Sequence, residues 1–255
     1  MINKELNIQK LHDVFNKYNL TSDEKDELVQ IIYPIFIHDE FQRRMTDEFM
    51  HHSNITLGEH IIEDAVVTYL LSKKKMKKKK YANLNISLAV KIAMMHDLYT
   101  IPWQNNKDAK TNNFFNKHGF RHPVEAVINA INWYPEIFDN QDDAKIIIDG
   151  IVHHMYPLPA RIFIDTIDNK MELKNFSLVS NVSTENKDML TDSLKRKNIG
   201  PVSISKSKYL EGKIMSKADK KVSRHQIKNI SSASALLTGH NKSIGEKDAK
   251  KRNNY

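Results

Sequence analysis

Apolar residues recur at spacings of three and four along most of this chain, and that rhythm decides its fold class. Leu28, Ile31, Ile32, Ile35 and Phe36 predict a helix over residues 24–50, with Ser22 or Asp23 as its cap. Ile61, Ile62, Ala65, Val66, Tyr69 and Leu70 predict a second over 57–71, where Thr56 and Glu59 have the spacing of a capping box. Similar patterns predict helices over 86–97, 123–133, 142–154 and 208–224. Pro123 suits a first turn, and Tyr156-Pro157-Leu158-Pro159 stops the helix before it. Residues 160–205 are mixed, and no clear strand is visible. Only seven glycines and seven prolines argue against a turn-rich β-sandwich. An all-α bundle is expected, with an N-terminal helical segment over 1–44, the main domain over 45–225 and a basic, weakly ordered tail over 226–255.

Composition narrows the chemistry. There is no cysteine, which excludes disulfides, thiolate zinc sites and a cysteine nucleophile. No run of eighteen apolar residues offers a membrane span, and the first residues carry no signal-peptide core, so a cytoplasmic location is expected. The formal charge of +8 is uneven. Residues 206–255 hold thirteen Lys/Arg against four Asp/Glu, while the rest is close to neutral. A lysine run at 73–80 adds a second basic segment, read as an exposed loop or helix extension. Both could meet nucleic acid or another anionic partner. The polar stretch 100–120 reads as a long loop of the kind that often carries function.

The chain has twelve histidines, and their arrangement matters more than their number. His60 lies on the predicted second helix. His96-Asp97 ends the third, His122 precedes the fourth, and His153-His154 closes the fifth. Asp219 lies inside the last apolar pattern. Imidazole and carboxylate at core-facing positions are costly to bury without compensation, and divalent cations compensate well. Asp97, adjacent to a histidine, could place one oxygen on each of two ions. His51 and His52 are read as loop residues near the site entrance. His12, His38, His225 and His240 have no partner pattern and are expected at the surface. Trp103 and Trp133 are expected to pack rather than to stack a base.

The ordered series Gly58-Glu59-His60, Met94-Met95-His96-Asp97-Leu98, His118-Gly119-Phe120-Arg121-His122-Pro123, Ile151-Val152-His153-His154 and Ser216-Lys217-Ala218-Asp219-Lys220 resembles the HD superfamily of metal-dependent phosphohydrolases, in its two-metal branch. The resemblance spans residues 45–225. It implies a helical HD domain in which His60, His96, Asp97 and Asp219 hold one ion, and Asp97, His122 and His153 the other. The implied ions are divalent: iron or manganese first, with zinc, cobalt, nickel or magnesium compatible. His154 binds metal, contacts phosphate or merely flanks the site. The implied reaction is hydrolysis of a phosphate ester, of a nucleotide or related small molecule, by a metal-bridging hydroxide. Asp97, His122, His154 and Arg121 are the candidate catalytic residues. His118, Arg121, Lys217 and Lys220 are the candidate substrate contacts, Arg121 because a guanidinium can grip phosphate with two parallel donors. Leu98-Tyr99-Thr100 stands where the cyclic-dinucleotide branch usually has Gly and Lys, so that branch is not favoured. Two alternatives stand beside this reading. One is a two-iron oxygenase with similar ligands. The other is a nucleic-acid or anionic-surface binding module built on the same scaffold.

Overall fold

Most helices begin where a side chain satisfies their first amides. In a computed structural model, which describes residues 2–52, 55–102, 117–161, 164–167, 170–173 and 182–237, Asn3 caps α1 (Lys4–Lys17) and Thr21 caps α2 (Ser22–Phe36). His38 then caps α3 (Asp39–Arg44), its Nδ1 accepting the Glu40 N–H at 3.2 Å. The single helix expected over 24–50 is therefore two, because the extended backbone at His38 turns the chain. The α2 cap is Thr21, not Ser22 or Asp23, since Glu24 completes a capping box with it.

Thr56 and Glu59 form the expected capping box at the start of α4 (Leu57–Met76). The lysine run supplies the last turn of that helix and a following 3-10 turn, where cations meet the negative end of the helix dipole. Asn85 caps α5 (Ile86–Met95), so His96-Asp97 falls just past the helix rather than inside it. The next helix, α6 (His118–Trp133), begins earlier than expected and takes Pro123 into its second turn; His118 and His122 thereby share one face. After α7 (Gln141–Val152) come α8 (Thr184–Lys195) and α9 (Leu210–Leu237). The helix α9 continues well beyond the expected end at 224. Residues 226–237 are therefore helical and not a loose tail, while 238–255 lie outside the described residues.

The strands are short and peripheral. An antiparallel pair precedes α4, formed by β1 (Met50–His52) and β2 (Ile55–Thr56). A three-stranded sheet orders β3 (Ala160–Arg161), β7 (Val202–Ser203) and β6 (Asn198–Ile199), and β4 (Ile164–Ile167) pairs with β5 (Lys170–Leu173). The fold is all-α. Among the described residues no helix is long and apolar enough to cross a membrane.

The helix α4 is central, packed against α5 and α9, and α7 closes the layer against α5, α6 and α9. One continuous core runs from Leu11 and Phe15 in α1 through Ile61 and Val66 to Met215 in α9. The N-terminal helices thus share the main core, α1 against α4 and α2 against α5. Arg44 is fully buried and donates to the Tyr99 carbonyl at 2.5 Å and to the Glu40 carboxylate at 3.0 Å. Its guanidinium lies 4.5 Å from the centre of the Trp133 ring, which packs as expected; Trp103 lies outside the described residues. This tie fixes the chain immediately after Asp97.

Two glycines let α7 and α9 meet. A Cβ on Gly212 would come within 2.7 Å of the Gly150 Cα and 2.3 Å of the Ser207 Oγ. A Cβ on Gly150 would press to 2.6 Å from Ile92. That close approach brings the end of α7 to the first turn of α9. We expect Gly212→Ala to cost about 1–3 kcal/mol of stability by overpacking. Gly119→Ala, whose Cβ would meet nothing within 4 Å, should be neutral or slightly stabilising. Denaturant melts of both variants check this; equal midpoints would contradict the close-packed crossing.

Candidate metal centre

Seven residues from separate parts of the chain converge at the middle of the bundle. His60 and Asp64 come from adjacent turns of α4, and His96 and Asp97 from the end of α5. His122 comes from α6, His154 from the turn after α7, and Asp219 from α9. All seven are buried. Ligand atoms of His60, Asp64, His96 and Asp219 all lie within 4.8 Å of one another, as do those of His96, Asp97 and His154.

Four imidazoles are turned the same way. His96 Nδ1 lies 2.7 Å from the Ala93 carbonyl, His154 Nδ1 2.7 Å from that of Ile151, and His122 Nδ1 3.1 Å from that of His118. His60 Nδ1 meets Gln226 Oε1 at 3.0 Å. Every one of these partners is an acceptor, so each Nδ1 carries the proton. In the neutral ring the lone pair then sits on Nε2, which faces the centre, the arrangement a metal-binding histidine needs. Burial holds His60 and His154 well below the usual imidazole range, which favours the neutral ring.

Asp97 faces both halves of the cluster. Its Oδ2 lies 3.6 Å from His96 Nε2 and 4.0 Å from His60 Nε2. Its Oδ1 lies 3.2 Å from His122 Nε2 and 3.6 Å from His154 Nε2. Burial pushes its carboxyl up, but His96, His122 and His154 together outweigh that and hold it well below the usual carboxylate range. For His122 burial is again the largest influence, yet Asp97 raises its imidazole overall. His122 and His154 meet Nε2 to Nε2 at 3.0 Å, so with both Nδ1 atoms protonated two lone pairs face each other there unless a proton or a cation lies between them. A cation placed there would take that proton's role.

Asp64 carries the strongest signal. It is fully buried, lies 3.1 Å from His60 Nε2 and 3.4 Å from His96 Nε2, and neither of its oxygens accepts a hydrogen bond. Asp97 Oδ1 and His96 Nε2 are likewise buried without a hydrogen-bond partner. Burial, then Asp219 and Asp97, pushes the Asp64 carboxyl well above its usual range. Asp219 is raised too, chiefly by burial, although Ser223 Oγ donates to it at 3.1 Å. An uncompensated buried carboxylate costs several kcal/mol. Three here, in one place, need compensating charge. Imidazole lone pairs and carboxylate oxygens together suit a divalent ion such as iron, manganese or zinc. These buried groups could hold a metal ion.

Five of the six expected ligands therefore meet: His60, His96, Asp97, His122 and Asp219. His153 does not. The histidine that joins them is His154, because successive residues past the end of α7 project to different sides. His153 Nε2 instead lies 3.2 Å from both the carbonyl and the hydroxyl of Ser193, beside an Asp149 carboxylate already paired with Arg196 at 2.5 Å. That network ties α7 to α8. Asp64 was not anticipated. Its place four residues after His60, on the same helical face, was the available signal. Gln226, in the segment expected to be a loose tail, orients His60 and also donates to Glu63 at 2.9 Å.

A second tier of rings lies against the cluster. The His51 ring stacks on His60 with centroids 4.1 Å apart, and the His118 ring on His122 at 5.0 Å. Burial, then the neighbouring His122, pulls His118 down to about 3. Arg121 lies close enough to His118 and to Arg161 to disfavour a second positive charge on either. The His52 side chain and residues 103–116, within the expected long loop, lie outside what is described. Lys220 Nζ lies 3.5 Å from the His154 carbonyl, and against the larger upward push of burial its charge draws the Asp219 carboxyl down. Lys217 is exposed, and Lys220 donates to the Tyr156 carbonyl and, at 2.8 Å, to Ser216 Oγ. His12 and His225 are exposed, His38 is half-buried as the α3 cap, and His240 lies outside the described residues. Comparison with protein-family models, curated proteins and solved structures finds no match.

A reversal of stability order tests the metal assignment. In metal-stripped protein, Asp64→Asn should raise stability by about 1–3 kcal/mol, because it removes a buried charge without a hydrogen-bond partner. With saturating manganese the wild type should gain stability by linkage and overtake the variant. Denaturant melts with and without manganese give the answer. A variant less stable than wild type in both states would contradict a cation-binding role for Asp64.

Proposed function

We propose that the chain is a metal-dependent phosphohydrolase of the HD kind, acting in the cytoplasm on a phosphate ester of a nucleotide or related small molecule. The observation that carries this reading is Asp97, whose two carboxylate oxygens face two different sets of imidazoles. That is the disposition of a bridging ligand. His60, Asp64, His96 and Asp219 would hold one cation, and His122 and His154 the other, with Asp97 between them. The order His, His-Asp, His, His, Asp still resembles the HD series, with His154 in the fourth place and Asp64 as an addition. Two divalent cations held there would supply an activated water and neutralise charge on the phosphoryl group.

The chain's own residues do the rest. Anchored Nδ1 atoms keep the imidazoles from rotating, so the site is preorganised. The buried walls exclude bulk water, which strengthens every electrostatic contact inside. Arg121 lies near His118, and Arg161 lies near Arg121 with its Nε buried and without a hydrogen-bond partner. A phosphate there would satisfy it. His118, neutral and stacked on His122, can orient the ester without adding charge. The two-iron oxygenase reading uses the same ligands, but the guanidinium group of Arg121 beside His118 favours a phosphorylated substrate.

Asp97→Ala should lower hydrolysis of phosphate esters and nucleotides by at least about a thousandfold and abolish tight binding of the second cation. Wild-type activity should persist under anaerobic conditions with manganese or zinc. Turnover that requires oxygen and iron would favour the oxygenase instead. An Asp97→Ala protein with full activity would overturn the proposal.

A further inference from the structure

A large cavity along the described surface is separate from the histidine cluster. It encloses about 1000 Å³ on the outer side of α9, and none of the seven clustered residues lines it. Six cations converge on it: Lys206 from the turn before α9, then Lys213, Lys217, Lys220, Lys221 and Arg224 from α9. Among the described residues, none of the six forms an ion pair with a carboxylate. Lys206 sits over the Tyr156 ring at 5.2 Å, and Lys213 and Lys220 donate to backbone carbonyls. Lys17, across the cavity, is already paired with Glu63 at 2.5 Å. The floor is different in kind. Val67 and Val222 form a small apolar cluster there with Ala218, and Tyr18 packs against it.

The helix has two faces with two roles. Asp219 and Gln226 point inward to the metal centre. Lys213, Lys217 and Lys221, each one turn apart, stand outward with roughly 5–6 Å between neighbouring Cβ atoms. Six like charges around one concavity repel one another, and a polyanion relieves that repulsion. The cavity is at the upper end of the range that holds a compact ligand. Its cations reach in from a turn as well as from the helix, so they surround a volume rather than follow a line. Charges on one side and an apolar, aromatic floor on the other match a ligand with a phosphate chain and a flat ring. We propose that this cavity is a second, metal-independent binding site for a nucleoside polyphosphate.

Calorimetric titration of the metal-stripped full chain with ATP tests this apart from the hydrolytic reading. One molecule of ATP should bind per chain, more tightly than inorganic triphosphate. Lys217→Glu with Lys221→Glu should weaken binding at least tenfold, and the milder alanine pair should weaken it less. Asp97→Ala should leave it unchanged, because the two sites share no residue. Absence of ATP binding, or affinity indifferent to the charge reversal, would overturn the proposal. So would loss of binding in Asp97→Ala. A single-stranded oligonucleotide that outcompetes ATP at equal phosphate concentration would make the cavity a strand groove and overturn the nucleotide assignment.

Discussion

Three carboxylates, Asp64, Asp97 and Asp219, are buried side by side among four imidazoles, and much of the architecture serves to hold them there. Such a cluster resists folding. Two carboxyls are pushed up, chiefly by burial, and the third is held down only by its histidine neighbours. The surrounding structure fixes the donors from outside. Backbone carbonyls anchor three imidazoles and Gln226 anchors the fourth. The Gly150–Gly212 contact brings α7 against α9, and Arg44 pins the chain after Asp97 through the Tyr99 carbonyl. A bound cation would compensate this arrangement, since metal coordination can return more free energy than the desolvation of its ligands consumes.

Much of this was legible in the sequence because helical periodicity and capping are local signals. Thr56 and Glu59 announce α4 by spacing alone, and the apolar pattern of α5 leads straight to His96-Asp97. What stayed hidden depends on tertiary contact. His153 and His154 are neighbours of one type, and only the turn after α7 decides which one faces inward. His153 goes to Ser193 and Asp149, residues it meets only in three dimensions. Asp64 looked like an ordinary polar residue in a helix, because its role requires His96 and Asp219 to arrive from other elements. Gln226 was read as tail because apolar periodicity fades there, yet a polar residue holds the inward face of α9. The break at His38 was missed because the apolar rhythm continues across it.

The two charged regions lie on opposite faces of α9. The negative cluster is interior, dry and built from rigid helix ends, as preorganised chemistry requires. The positive cavity lies outside, lined by long lysines. Lys217 and Lys220 belong to this second region, although in sequence they flank Asp219. Within one turn of helix, Asp219 faces the interior cluster while the flanking lysines face the outer cavity. Both regions depend on α9 and on the turn at His153-His154, whose carbonyl accepts from Ser216 Oγ at 2.5 Å.

Anomalous diffraction from crystals grown with manganese tests the central claim most directly. The account predicts two peaks separated by about 3.5–4 Å. One should lie among His60, Asp64, His96 and Asp219, and the other beside His122 and His154, with Asp97 between them. Manganese bound at His153 and Asp149 instead, or saturating manganese with no peak near Asp97, would contradict it.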